Sequence, residues 1–432
     1  MFFINVFKLK LEYAFLFFEI MNSIFRFYFS ILIIGLIAGL VGVFLTYLLH
    51  HIQHLAFSYG MNGVEMSFRE GVEQSSYQQR MIALTLAGLI GGLGWHALHR
   101  YGKLVSIKQA LDNPQQGTPF FSTFSHALLQ IITVGLGSPL GREVAPREMS
   151  VAFASLWLKK IRLTVEDAKL LLACASGAGL TAVYNVPFAA TIFILETMWL
   201  AFSKRALAAA LLCVSTATLL ARYFLGDLVQ YATLPKAEIN QSALSFSLIL
   251  GVLIGILANL FQASTKSFPV FKRTDKRLIL LSVIAFAIIG LISLYQPDIL
   301  GNGKAGNQLV FHMMLSGQES LQLFVLKWLT VLLALAAGAY GGLITPSMML
   351  GSTIAYYLAF VWNCYFPAVS LETIAIVGAC AFLGVSLKMP LTAVIFSLEL
   401  TRGSADLLMP LVLATTTATI SNKCYQYWQT AK

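Results

Sequence analysis

A ten-residue run in this chain recurs 203 residues on (390 − 187). Pro187-Phe-Ala-Ala-Thr-Ile-Phe-Ile-Leu-Glu196 is answered by Pro390-Leu-Thr-Ala-Val-Ile-Phe-Ser-Leu-Glu399, with Pro, Ala, Ile, Phe, Leu and Glu in register. Upstream, Gly141-Arg-Glu-Val-Ala-Pro146 is answered 200 residues on (346 − 146) by Gly341-Gly-Leu-Ile-Thr-Pro346. Offsets this close point to duplication of a whole half. In a membrane protein, such repeats with broken helices place a substrate site between the halves, near the bilayer midplane. The reading divides the chain into an N-terminal segment 1–22, a first repeat 23–225, a more polar connector 226–241 containing Pro235, and a second repeat 242–432.

Composition puts those repeats in a membrane. Of the 432 residues, 58% are hydrophobic and 11% charged, with a mean hydropathy of +0.76. A soluble domain carries roughly twice that charge fraction. Uncharged runs such as Ile31 to Leu49, Met81 to Leu98, Leu244 to Phe261 and Leu278 to Leu294 approach the ~20 residues a spanning helix needs. The expected class is all-α: a polytopic helical protein of the cell inner membrane, contacting lipid. Lys8, Lys10, Glu12 and Glu19 interrupt the first apolar stretch, so a cleaved signal peptide is not expected. No soluble regulatory domain is expected beyond the last apolar run.

The net charge of +10 does not imply nucleic-acid binding. The cations sit in short clusters between apolar runs: Lys159-Lys160-Arg162, Lys204-Arg205, and Lys272-Arg273 with Lys276-Arg277. Such clusters mark cytoplasmic loops. The five cysteines are scattered singly, which indicates neither a disulfide frame nor a metal site. His50, His51 and His54, and His96 and His99, have helical spacing but follow apolar runs, so the head-group region is expected for them and no metal. Gly301-Asn-Gly-Lys-Ala-Gly306 lacks the ending and strand context of a phosphate loop. No cofactor is expected.

The run Gly135-Leu-Gly-Ser-Pro-Leu-Gly-Arg-Glu-Val-Ala-Pro146 cannot be the middle of a straight helix. A helix restarting after Gly141 leaves first-turn N–H groups unpaired, and these favour an anion. Glu143 then stands where an anion binds, and its carboxylate mimics one. Protonated, it could swing away and admit the real ion. The plain alternative is a water-exposed loop holding Arg142 and Glu143 beside Arg147 and Glu148. The second-half break offers the amides of Leu343 and Ile344 from the opposite side, or else an ordinary close contact through glycines. Glu196 and Glu399, each nine residues after a proline, read as caps or interface residues, with Lys388 and Arg402 as possible partners for Glu399. A membrane-embedded enzyme would need a close polar set. His126 after Ser125 is the nearest candidate, and no catalytic residue is assigned.

Together these motifs resemble the CLC family of chloride channels and proton/chloride antiporters, over nearly the whole chain. Gly141-Arg-Glu143 looks like the family's Gly-Lys/Arg-Glu-Gly-Pro motif, making Glu143 the gating glutamate. Gly341-Gly-Leu-Ile-Thr-Pro346 looks like its Gly-Gly-x-Phe-x-Pro motif, with Ile344 at the phenylalanine position. The resemblance implies about 18 helices in two inversely oriented halves, a homodimer, and an anion site drawing on Arg142, Val144, Leu343 and Ile344. Where the family has Gly-Ser-Gly-Ile-Pro, this chain has Tyr101-Gly-Lys-Leu-Val105, and Ser106 is the nearest serine. The antiporters' internal proton glutamate aligns with Thr197, beside Glu196, and the inner-gate tyrosine has only Tyr425 and Tyr427 as candidates. The expected function is transport of small inorganic anions, chloride first, coupled to protons through Glu143. The alternative is a passive voltage- or pH-gated channel for chloride, fluoride or nitrate.

Overall fold

The computed structural model describes the backbone of residues 2–58, 68–227, 229–231 and 239–430, and side chains from 23 to 429 within those ranges. Side chains of the N-terminal segment, and Pro235 with half of the connector, lie outside the described residues. The first half holds α1 (Phe2–Phe57), α2 (Phe68–Gln74), α3 (Tyr77–Tyr101), α4 (Ile107–Asp112), α5 (Phe120–Gly135), α6 (Val144–Leu158), α7 (Val165–Tyr184), α8 (Pro187–Phe193) and α9 (Lys204–Leu225). α8 runs on into a wider-turned segment, Ile194–Trp199. The second half holds α10 (Gln241–Thr265), α11 (Arg277–Tyr295), α12 (Lys304–Phe311), α13 (Gly317–Ala336), α14 (Ile344–Trp362), α15 (Leu371–Ser386), α16 (Pro390–Thr401) and α17 (Leu408–Thr430). Seven described helices are long and apolar enough to cross a membrane, and α5, α15 and α16 are shorter apolar ones.

Glycines let these helices approach closely, and their contacts give the directions. Gly35 and Gly39 of α1 lie on Cys213, Thr216, Ala217 and Leu220 of α9, so the two run parallel. Gly251 and Gly255 of α10 meet Ala414, Thr417, Ala418 and Ser421 of α17, the same pairing in the second half. Between them α3 and α11 pack antiparallel, Gly92 against Ile279 and Gly290 against Met81 and Leu84.

The halves are inverted. α1 begins at the end where Phe27 packs under Arg205 and where Ser30 receives the Trp157 indole N–H. Arg205 pairs there with Asp167 near the start of α7. α10 instead ends toward the Lys272–Arg277 loop, where Val270 N–H donates to Ala336 O at 3.2 Å. The basic clusters thus sit at the end where α1 starts and α10 stops. The positive-inside rule assigns that end to the cytoplasm.

Candidate functional site

Two helices stop short in matching fashion. α5 and α13 each end on a glycine in the left-handed region, Gly137 (φ 104°) and Gly338 (φ 81°). The following amides close the turns, Ser138 N–H on Thr133 O and Ala339 N–H on Ala334 O, both at 3.0 Å. This C-terminal motif needs a residue without a Cβ. The chain then runs on to start α6 and α14. The two connecting segments meet in a single antiparallel bridge, Gly141 N–H to Gly342 O at 2.7 Å and Gly342 N–H to Gly141 O at 2.8 Å.

Glu143 sits at that junction with none of its surface exposed. Its Oε1 accepts the Ile344 N–H at 2.6 Å, so the carboxylate from the start of α6 occupies the start of α14. Its Oε2 accepts the Tyr184 hydroxyl at 3.2 Å, and Tyr184 Oη is also 2.8 Å from Thr345 Oγ1. A Cβ on either Gly141 or Gly342 would collide with the carboxylate, so both glycines are required for it to seat against the backbone. Arg142 lies beside it, its guanidinium 5.6 Å from the Tyr184 ring centroid and donating to Val183 O at 3.3 Å. A carboxylate held by a backbone amide, a hydroxyl and two helix starts stands where a free anion would be held by the same donors.

Val144 opens α6, and Leu343 precedes Ile344 at the start of α14, so both border the junction. The other sequence-predicted residues lie elsewhere. Ser106 is exposed and caps α4, its hydroxyl accepting from Gln109 N–H at 3.3 Å. Tyr425 and Tyr427 lie near the end of α17, Tyr425 half-buried against Trp428 and Tyr427 exposed. Thr197 donates its hydroxyl to Phe193 O at 2.7 Å within its own helix. Glu196 accepts the amides of Leu391 and Thr392 and the Thr392 hydroxyl at 3.0, 2.8 and 2.6 Å, capping α16. Glu399 returns the favour, accepting the amides of Phe188 and Ala189 at 3.0 and 2.6 Å at the start of α8. Of Lys388 and Arg402, the two possible partners for it, Arg402 pairs instead with Asp227. His126 faces Glu148.

A model of the family described as voltage gated chloride channel matches residues 87–423. The chain belongs to this family. Among curated relatives, the H(+)/Cl(-) exchange transporter ClcA of Yersinia pseudotuberculosis serotype IB (strain PB1/+) is 26% identical over 411 residues, covering 90% of this chain and 82% of its own length. The ClcA of Vibrio cholerae serotype O1 (strain M66-2) is 25% identical over 414 residues, with 90% and 84% covered. A slow cyanobacterial Cl-/H+ antiporter shares the fold with a TM-score of 0.79 at 19% identity, over 93% of this chain and 95% of that one. A CLC-type fluoride/proton antiporter superposes with a TM-score of 0.68 at 19% identity, over 94% and 97%. The chain is a polytopic membrane protein that shares this fold over most of its length. Tyr184 was missed from sequence. It sits three residues before Pro187, just outside the repeated run, and a tyrosine on an apolar helix reads as core.

Proposed function

We propose that this chain exchanges small anions, chloride first, for protons across the inner membrane. Glu143 alternates between filling the anion position and carrying a proton. The observation that carries the reading is the buried Glu143 carboxylate on the Ile344 amide at the start of the opposite half's helix. Charged, the carboxylate is held by the helix starts and by charge-assisted hydrogen bonds. Protonated, it loses that attraction, leaves, and an anion takes its place on the same donors. Anion entry and proton uptake then favour one another, and the coupling is reciprocal. The proposed ligands are the Ile344 amide and the Tyr184 hydroxyl, with Arg142, Val144 and Leu343 around them.

Thr197, which has no titrating proton, supports a second reading as a passive channel. Purified protein in liposomes separates the two. Given an anion gradient, an exchanger drives protons uphill, whereas a channel passes anions with external pH unmoved. Parallel assays with chloride, nitrate and fluoride identify the anion. We further propose a homodimer with a separate pathway in each subunit, which light scattering of the detergent-solubilised protein tests.

A further inference from the structure

Exchange needs a proton path from the cytoplasmic end to Glu143. The glutamates of the repeat motifs are committed elsewhere, because Glu196 and Glu399 cap the helices of the opposite halves. One flank of α6 is filled by Arg147, whose Nε donates to Ser176 Oγ at 3.2 Å and whose guanidinium lies 4.5 Å from the Phe193 ring centroid. A group that stays positively charged repels a proton there.

The other flank of α6 differs. Glu148 Oε2 lies 2.8 Å from His126 Nδ1 and 2.9 Å from the Gln130 side-chain nitrogen, which is also 2.9 Å from His126 Nδ1. The His126 ring stands edge-on to Tyr340, centroids 4.5 Å apart. The Tyr340 hydroxyl is 2.7 Å from His99 Nε2 at the end of α3. Arg273 lies 3.8 Å from the Tyr340 ring centroid and donates to Gly338 O at 2.7 Å. His126 is 4% exposed, and its Nε2 has no hydrogen-bond partner among the described residues. Titratable side chains from α3, α5, α6 and the segment before α14 therefore meet in one cluster. Its charged neighbours are Arg273, Arg147 next to Glu148 on α6, and His96 with Asp275 at the cytoplasmic rim.

Building on the exchanger reading, we propose that His99, Tyr340, His126 and Glu148 form the inner proton relay that serves Glu143. Its outer member, His99, lies at the basic end of the molecule beside Arg273. Its inner member, Glu148, is five residues along α6 from Glu143, about 7.5 Å of helix rise. Tyr340 lies two residues before Gly342, which bridges to Gly141 beside the carboxylate. Water is the only other participant: His99 hands a proton to Tyr340, the Tyr340 hydroxyl proton passes through water to His126 Nε2, His126 releases its Nδ1 proton to Glu148, and Glu148 hands it through water to Glu143. The two ring nitrogens act as opposite ends of one conductor. The orphaned Nε2 is the end that must be open to receive.

The test measures proton and anion fluxes in liposomes for wild type, Glu148→Gln, Glu148→Asp and His126→Gln, each checked for monodispersity. Glu148→Gln and His126→Gln should lower proton flux by at least about tenfold while anion flux persists. Glu148→Asp, which still titrates, should restore part of the proton flux. Wild-type pumping with equal pumping by Glu148→Gln and His126→Gln overturns the relay alone. Parallel loss of both fluxes also overturns it, because that is the signature of a structural role. A wild-type protein that moves no protons overturns the exchanger reading and the relay with it.

Discussion

Glu143 is held in place by partners that are far away in sequence. The Ile344 amide is 201 residues away and Tyr184 is 41. The glutamate itself stands out in sequence because Gly, Pro and Glu cannot be packed into one stretch of lipid-facing helix without a purpose. Tyr184 does not, because its partners Glu143 and Thr345 reach it only through the fold. Two outcomes follow at this scale. Glu143→Gln, which keeps the shape and removes the titrating proton, should abolish proton coupling and leave an anion leak, read as anion flux without a pH change. Tyr184→Phe in that background removes one hydroxyl donor to an anion. It should weaken chloride binding by about 1.5 kcal/mol, roughly tenfold, as read by calorimetric titration. An unchanged affinity would remove Tyr184 from the site.

At the scale of elements, each half uses its glutamate to cap the other half's helix. α8 and α16 both begin with proline, which supplies no N–H, so the next amides are the first that need an acceptor. Glu399 serves Phe188 and Ala189, and Glu196 serves Leu391 and Thr392. The matched motifs announced a pair of equivalent glutamates but not that they cross over, because a repeat states equivalence and says nothing of contact. Glu196→Ala and Glu399→Ala should each destabilise the protein by about 2 kcal/mol, seen as a lower unfolding midpoint in detergent. A second outcome concerns Gly378, where a Cβ would collide with Ala355 and the Gly351 carbonyl between α14 and α15. Gly378→Val should cost about 1–3 kcal/mol and, by shifting α14, weaken anion binding as well. Binding unaffected by that change would mean α14 does not position the site.

Across the whole molecule, inversion makes the site possible. α6 and α14 start from a shared midline and run to opposite ends, so their unpaired first-turn amides face one another in the interior. Under the exchanger proposal, backbone dipoles supply the direct donors to an anion, so that release stays possible. Repeat spacing, apolar runs and clustered cations carried the architecture and its sidedness in the sequence. The Glu148, His126, Tyr340 and His99 cluster was hidden, since its members come from four separate segments whose spacing follows no motif. The decisive measurement is external pH during a chloride gradient imposed on liposomes holding the purified protein. Proton movement against its own gradient, lost in Glu143→Gln, is the expected result. Chloride flux with pH unmoved in the wild type, or coupling that survives Glu143→Gln, would contradict the account.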